Sequence, residues 1–127
     1  ANGSEAYKGI TVSGFPNLFM LYGPSTNLAH NSIVYMLESQ VRYVLCCINI
    51  LNATPGTAMD VKPDRLRAFS EGIQTKLKNS VWDSGCHSWY LDSDGKNTVN
   101  WPGFTFTYRK ATREVNPDDY EFLHPSV

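Results

Sequence analysis

A short loop near the start of the chain carries the residues best suited to hold a ligand. It comprises residues 23–32, includes Thr26, Asn27 and Asn31, and directly precedes a long stretch with helical spacing. A loop that leads into a helix presents backbone N–H groups with no partner inside the helix, and these groups suit an anionic or electron-rich ligand edge. Hydroxyl and amide side chains add further donors. On these residues alone, an ordinary helix cap and surface loop remains favoured over a ligand site.

Motifs of the common enzyme classes are mostly absent from the sequence. There is no G-x-S-x-G nucleophile elbow, no P-loop, no H-E-x-x-H zinc motif and no G-x-G-x-x-G dinucleotide motif. Cys86 and His87 are adjacent, and a strand would turn them to opposite faces, which argues against a thiol–imidazole pair. The acidic cluster at residues 118–121 follows a proline and is predicted to form a surface turn rather than a metal site.

The composition is typical of one soluble globular domain. The 127 residues are 42% hydrophobic and 18% charged, which suffices for one core and is short for two domains. The net charge of -1 gives no electrostatic reason to expect nucleic acid or an anionic membrane as a partner. Three cysteines, two of them adjacent, favour a reduced, cytoplasmic chain.

The hydrophobic pattern predicts the elements that must position the loop. We predict a single α+β domain over residues 1–127, with a flexible lead at 1–9, a strand–loop–helix unit at 10–51, a second helix within 57–79, and an aromatic hairpin and tail at 80–127. The run 18–22 is apolar on both faces and predicts a short buried strand that ends at Gly23 and Pro24. Residues 57–61 fit either a strand or a linker, and residues 105–113 fit either a strand or a helix.

The predicted long helix begins after Asn31 or Ser32, either of which is a suitable N-cap. Its apolar stripe is predicted to face the core and contains Ile33, Leu37, Val41, Val44, Leu45, Ile48 and Leu51. The opposite face contains Glu38, Ser39, Arg42 and Asn49, and Gln40 is predicted to be a buried amide bonded to nearby backbone. At roughly 30 Å the helix could span a bilayer, but Glu38, Gln40 and Arg42 in its middle argue against a membrane span.

The second helix is predicted to start near Pro63, which the first helical turn tolerates. Its apolar stripe runs at three- and four-residue spacing to residue 77. Gly72 lies inside this helix and costs about 1 kcal/mol relative to alanine, so we expect close packing at that point.

Three blocks of the sequence resemble Baeyer–Villiger monooxygenases, in particular the 4-hydroxyacetophenone monooxygenase group. The first block comprises YKGITV at 7–12, GFPNLF at 14–19 and GPSTNL at 23–28. The second is ESQVRYV at 38–44. The third comprises VW at 81–82, CHSWY at 86–90 and NWPG at 100–103. These blocks span most of the chain in the order found in the family.

The resemblance implies that the chain is the C-terminal part of a longer enzyme and a fragment of its FAD-binding α/β domain. Such enzymes bind FAD and NADPH through two glycine-rich motifs, and both motifs are missing here. Their reduced flavin reacts with dioxygen to give a C4a-peroxyflavin, which oxygenates a ketone or a soft nucleophile. By resemblance, Thr26, Asn27 and Leu28 would line the flavin, and Asn31 would cap the helix behind it. The chain alone is expected to bind no cofactor and to be inactive.

The implied partner is the rest of the parent monooxygenase, and an isolated segment is expected to dimerise through apolar surface left uncovered. An alternative function is a free-standing α+β interaction module with no redox role. The sequence does not specify the substrate, and it does not separate Baeyer–Villiger oxidation from N- or S-oxygenation.

Overall fold

The computed structural model describes residues 5–26, 33–78, 101 and 105–124. These residues form helices α1 (Ile33–Ala53), α2 (Pro63–Lys78) and α3 (Thr105–Ala111), strands β1 (Ala58–Val61) and β2 (Tyr120–Leu123), and a 3-10 turn at Pro117–Asp119. The α+β class is confirmed, and the two long helices begin and end close to their predicted limits. Of the predicted aromatic hairpin, only Trp101 belongs to the described residues; Cys86 and His87 lie outside them.

Strands β1 and β2 form an antiparallel pair in which Val61 lies opposite Tyr120. The side chains of Met59 and Val61 are buried while their neighbours along β1 are partly exposed, which is the alternation expected of a strand. The sequence left residues 57–61 open between strand and linker, and it did not predict β2. Strand β2 has only four residues, and its partner β1 lies about sixty positions earlier in the chain. No local sequence pattern indicates such a pairing.

Residues 18–22 do not form the predicted buried strand. Leu18, Leu21 and Tyr22 are about half exposed, and their backbone is irregular. A strand needs a neighbour along its edge, and the two described strands pair with each other rather than with this segment. Instead, Asn17 covers β1: its N–H donates to the Met59 carbonyl at 2.9 Å, and its Oδ1 accepts the Met59 N–H at 2.8 Å.

Helix α1 turns a different face to the core than its predicted apolar stripe. Val41 and Leu45 of that stripe are 42% and 54% exposed. Ser39, which we assigned to the polar face, is buried, and its hydroxyl donates to the Tyr35 carbonyl one turn earlier at 3.0 Å. A hydroxyl satisfied within its own helix can be buried at little cost. The buried residues of α1 are Met36, Ser39, Gln40, Tyr43 and Cys47.

By length and composition alone, α1 qualifies as a membrane span, and no other helix in the described part of the chain does so. Glu38 and Arg42 lie in its middle, and Glu38 pairs with Arg109 of α3 at 3.4 Å. The prediction that the chain does not enter a membrane stays a prediction.

The lead predicted to be flexible reaches the core at its C-terminal end, so that part of the prediction is wrong. Ala6, Tyr7 and Ile10 are buried. The Tyr7 N–H donates to the Thr11 carbonyl at 2.7 Å, which closes a turn at residues 7–11, called turn 7–11 below. The Tyr7 hydroxyl donates to Asp119 Oδ2 at 2.6 Å. This hydrogen bond between distant residues holds the turn in place.

Hydroxyl groups from several elements meet in the same core. The Tyr120 hydroxyl lies 2.7 Å from the Tyr43 hydroxyl and 3.2 Å from Thr11 Oγ1. Because burial disfavours the charged form, it raises the pKa of Tyr43 and raises that of Tyr120 to about 12. These tyrosines therefore remain neutral at physiological pH and act as hydrogen-bonding core residues.

Replacing Asp119 by alanine is expected to destabilise the fold by about 2 kcal/mol, because the substitution leaves the buried Tyr7 hydroxyl without its acceptor. It also removes the carboxylate that lies 3.6 Å from Arg65 Nε. The matched control is Asp118→Ala in the same turn, whose exposed side chain should matter by less than about 0.5 kcal/mol. Urea unfolding compares the two variants, and equal losses would contradict this account of the core.

The raised pKa of Tyr120 predicts loss of stability at alkaline pH. The folded chain keeps this proton up to about pH 12, whereas the unfolded chain releases it near its ordinary pKa of 10.0. Stability present below about pH 10 should therefore fall towards pH 12, by up to about 1.4 kcal/mol per pH unit for each such group. The raised pKa of Tyr43 acts in the same direction, and the lowered pKa of Lys8 acts in the opposite one.

Urea midpoints across this range, measured for the wild type and for Tyr120→Phe, test the assignment. The variant should lose less stability on going to high pH. Parallel curves for the two proteins would show that Tyr120 is not the group responsible.

Candidate functional site

The structure describes residues 23–26 of the predicted ligand loop 23–32; together with Tyr22, which leads into them, these residues are called loop 22–26 below. Asn27, Leu28 and Asn31 lie outside the described residues, so their roles stay predictions. Tyr22 and Ser25 have positive φ angles of 58° and 63°. Residues other than glycine rarely adopt this left-handed backbone conformation. Where they do, the position is often at a ligand-binding or active site. Loop 22–26 therefore combines backbone strain with the sequence features of a ligand loop.

Helix α1 holds the start of loop 22–26 through Gln40. This residue is fully buried, and its Oε1 accepts the Tyr22 N–H at 2.8 Å. The prediction of a buried amide bonded to nearby backbone is confirmed. The Gln40 side chain also lies near the Tyr108 hydroxyl, yet among the described residues its Nε2 has no hydrogen-bond partner of good geometry. A buried donor without an acceptor costs about 1–3 kcal/mol of folding free energy. The Nε2 group of Gln40 is therefore a destabilising feature of the core.

Thr26 anchors the other end of the described loop with its side chain turned inward. It is 1% exposed, and its hydroxyl donates to the Gly23 carbonyl at 2.6 Å. The hydroxyl is thus occupied within the loop. Among the described residues, none accepts a hydrogen bond from the backbone N–H of Ser25 or Thr26. A ligand role for Thr26 therefore depends on its main chain rather than on its hydroxyl.

Two glycines allow turn 7–11 to lie directly against loop 22–26. Gly9 has a φ of +72°, and a Cβ at this position would overlap the Thr26 Cγ2 methyl. A Cβ at Gly23 would overlap the carbonyl oxygen of Gly9. Since glycine alone lacks the Cβ, it is the residue that permits this approach. Turn 7–11 thereby limits how closely loop 22–26 can approach it and so fixes the position of the loop.

Helix α3 secures turn 7–11 from below. The Tyr108 hydroxyl donates to the Lys8 carbonyl at 2.6 Å, and Lys8 Nζ donates to the Ala111 carbonyl at the C-terminal end of α3 at 2.7 Å. A cation is favourable at that end of a helix. The ammonium also lies 5.2 Å from the ring centroid of Tyr43. Desolvation lowers the pKa of Lys8. Sequence reasoning missed Lys8 and Tyr108, since neither belongs to a chemical motif.

Asp118 and Asp119 of the acidic cluster lie in a turn after Pro117, as predicted, but Glu121 lies in strand β2 and Asp119 is not at the surface. Asp119 is 8% exposed and accepts a hydrogen bond, whereas its neighbour Asp118 is exposed. Within the described ranges, no group of three or more His, Cys, Asp and Glu side chains is arranged to hold a metal ion. The features that point to a ligand are therefore concentrated in loop 22–26 and its supports.

Comparisons with known proteins identify relatives over nearly the whole chain. It is 46% identical over 122 residues to a Baeyer-Villiger monooxygenase of Pseudomonas aeruginosa, and the match covers 94% of the chain and 23% of that protein. It is 41% identical over 126 residues to a Baeyer-Villiger monooxygenase of Streptomyces coelicolor, covering 98% and 24%. An FAD-binding monooxygenase of Aspergillus niger is 37% identical over 124 residues, covering 94% and 20%. No family model matches.

Solved structures agree with the sequence relatives. An oxidised steroid monooxygenase bound to NADP superposes with a TM-score of 0.84 at 26% identity, over 98% of this chain and 24% of that one. The chain thus spans about a quarter of the length of the proteins that it matches. Its fold is that of a fragment of the flavin-binding domain of such enzymes.

The different surroundings of Gly9 in turn 7–11 and Gly72 in α2 predict opposite effects of a Gly→Ala substitution on stability. Gly9→Ala should cost about 1–3 kcal/mol, since it introduces both an overlap and an unfavourable φ. Gly72→Ala should stabilise α2 by about 0.4–1 kcal/mol, because no described residue lies within 4 Å of the added Cβ. The close packing that we expected at Gly72 is therefore not found against the described residues. Thermal or urea unfolding measures both changes, and a neutral Gly9→Ala would contradict the packing described here.

Proposed function

We propose that this chain, a homologue of a segment of Baeyer–Villiger monooxygenases, is the C-terminal part of an FAD- and NADPH-dependent monooxygenase and completes its flavin pocket. The observation that carries the proposal is the 46% identity to the Pseudomonas aeruginosa enzyme across 94% of the chain. The sequence has no G-x-G-x-x-G motif with which to hold a dinucleotide pyrophosphate by itself. Phosphate binding is therefore assigned to the remainder of the enzyme, and this chain contributes at the ring system.

Loop 22–26 and the residues that follow it suit a place beside a flavin ring. The backbone N–H groups of Ser25 and Thr26 have no acceptor among the described residues; Ser25 is partly exposed, whereas Thr26 is 1% exposed, so a ligand carbonyl or ring nitrogen reaches Ser25 more readily. We assign Thr26, Asn27 and Leu28 to the lining of the flavin, with Thr26 acting through its main chain, and Asn31 to the cap of α1. Fixed donors at this position stabilise negative charge on the reduced ring.

The bound flavin supplies the redox chemistry, with NADPH as the source of electrons. The residues of this chain act by binding and orientation rather than by proton transfer. Burial raises the pKa of Tyr108 and keeps that hydroxyl neutral. Desolvation also raises the pKa of the Cys47 thiol to about 12, and a thiol that stays protonated is a poor nucleophile. Neither group is suited to covalent or acid–base catalysis.

The exposed apolar face of α1 is proposed to pack against the rest of the parent enzyme. Val34, Val41, Leu45 and Ile48 are between 39% and 58% exposed and recur at helical spacing. A monomeric protein seldom leaves such a face uncovered. About three quarters of the length of the relatives lies outside this chain and can cover it. An isolated chain is expected to cover the same face by forming a homodimer, and we place the parent enzyme in the cytoplasm.

A chimera tests the proposal. In it, this chain replaces the matched 122-residue segment of the Pseudomonas aeruginosa enzyme. We expect the purified chimera to carry FAD and to oxidise NADPH, and the chain expressed alone to be colourless and inactive, because the pyrophosphate site is in the other part of the enzyme. Visible absorbance and NADPH consumption are the measurements.

The native Pseudomonas aeruginosa enzyme is the matched control for expression and flavin content. A folded chimera without FAD would contradict the proposal and favour a free-standing interaction module. Stoichiometric flavin on the isolated chain would contradict the assignment of phosphate binding to the remainder of the enzyme.

A further inference from the structure

We infer that Gln40 is the positioning residue that sets the orientation of loop 22–26 toward the flavin. This inference rests on the function proposed above and goes beyond it, because Gln40 is a buried helix residue that the family resemblance does not assign to the site. Its action is indirect: it holds the backbone of the loop, and the backbone of the loop presents the donors.

The hydrogen bond from Tyr22 to Gln40 fixes the loop where its backbone is strained. Tyr22 has a φ of 58° and is followed by Gly23 and Pro24, and its N–H donates to Gln40 Oε1 at 2.8 Å. Proline cannot donate a hydrogen bond, so Pro24 contributes no backbone donor to the turn. A side-chain acceptor on a rigid helix supplies a constraint from outside the loop. The direction of the N–H groups of Ser25 and Thr26 depends on this attachment.

A closed set of contacts connects Gln40 to both ends of loop 22–26. At one end, Gln40 binds Tyr22 directly. At the other, the Gln40 side chain lies near the Tyr108 hydroxyl, which donates to the Lys8 carbonyl. The next residue, Gly9, lies against the Thr26 side chain. The loop is thus held from two sides, by Gln40 of α1 at Tyr22 and by Tyr108 of α3 through turn 7–11 at Thr26.

The chemistry of the amide is specific to this position. The carbonyl oxygen accepts from Tyr22, whereas the Nε2 of the same side chain lies near the Tyr108 hydroxyl and has no well-formed hydrogen bond within the described part of the chain. A residue that served only to fill the core would be apolar, because a buried amide donor without a partner is destabilising. The need to hold the Tyr22 N–H explains why an amide occupies this position.

The test uses three substitutions in the chimeric holoenzyme. Gln40→Met keeps the shape and removes the acceptor. Gln40→Glu keeps an acceptor for Tyr22 and, since burial favours a neutral carboxyl, also keeps a donor. Val61→Ala removes volume from the buried face of β1 and leaves the Gln40–Tyr22 contact unchanged, so it controls for general loss of stability.

We expect Gln40→Met to weaken FAD binding by about tenfold and to change the visible flavin spectrum. Gln40→Glu and Val61→Ala should remain within about threefold of the unsubstituted chimera, with an unchanged spectrum. Unchanged FAD affinity and spectrum in Gln40→Met would overturn the inference, and so would an equal loss in Val61→Ala. If the unsubstituted chimera itself holds no FAD, the proposed function fails and the role of Gln40 at a flavin fails with it.

Amide hydrogen exchange in the 127-residue chain tests whether Gln40 holds the loop independently of whether the chimera binds FAD. Exchange at the Tyr22 N–H should become at least about tenfold faster in Gln40→Met than in Val61→Ala at matched global stability. Equal exchange in the two variants would show that Gln40 does not hold the loop, whatever the chimera binds.

Discussion

Turn 7–11 and loop 22–26 lie so close together that a Cβ at Gly9 or Gly23 would overlap the opposing segment. Two backbones in such contact have few ways to move independently, so whatever fixes one also fixes the other. Turn 7–11 is fixed by Tyr108 of α3, and loop 22–26 is fixed by Gln40 of α1. The position of the candidate site is therefore set by two helices at once, although it is made of irregular backbone.

Helix α1 separates two environments with different chemistry. Its buried face within the chain contains Gln40, Tyr43 and Cys47 and takes part in a hydrogen-bonded core. Its exposed face is mainly aliphatic, and it also includes Glu38, which pairs with Arg109 of α3. Polar networks specify one arrangement, whereas aliphatic contacts tolerate several, so the precise positioning of the site falls to the first face. The exposed face is suited to packing against another part of a larger protein.

The sequence predicted the elements whose signal is local. Periodic apolar residues and Pro63 located α2 correctly, and Gln40 was correctly predicted to be buried. The buried face of α1 was predicted wrongly because the more aliphatic stripe is the exposed one, whereas the buried face includes Ser39 and Gln40, whose hydrogen bonds inside the chain no periodicity reveals. The strand at residues 18–22 was predicted from composition, which does not reveal whether a pairing edge is present. In the site, the family resemblance indicated residues within loop 23–32, of which the structure describes Thr26, but the inward direction of Thr26 accompanies the close approach of Gly9, which no spacing encodes.

The hydrogen bond between Tyr7 and Asp119 joins residues 112 positions apart. During synthesis, Tyr7 emerges from the ribosome long before Asp119. The Tyr7 hydroxyl therefore stays hydrogen-bonded to water while the residues between them are translated. Helices α1 and α2 can form during that interval, but the core around β1 closes only after strand β2 has been translated. A product terminated before residue 119 would lack the acceptor of the Tyr7 hydroxyl and would present an unfinished interior to proteases.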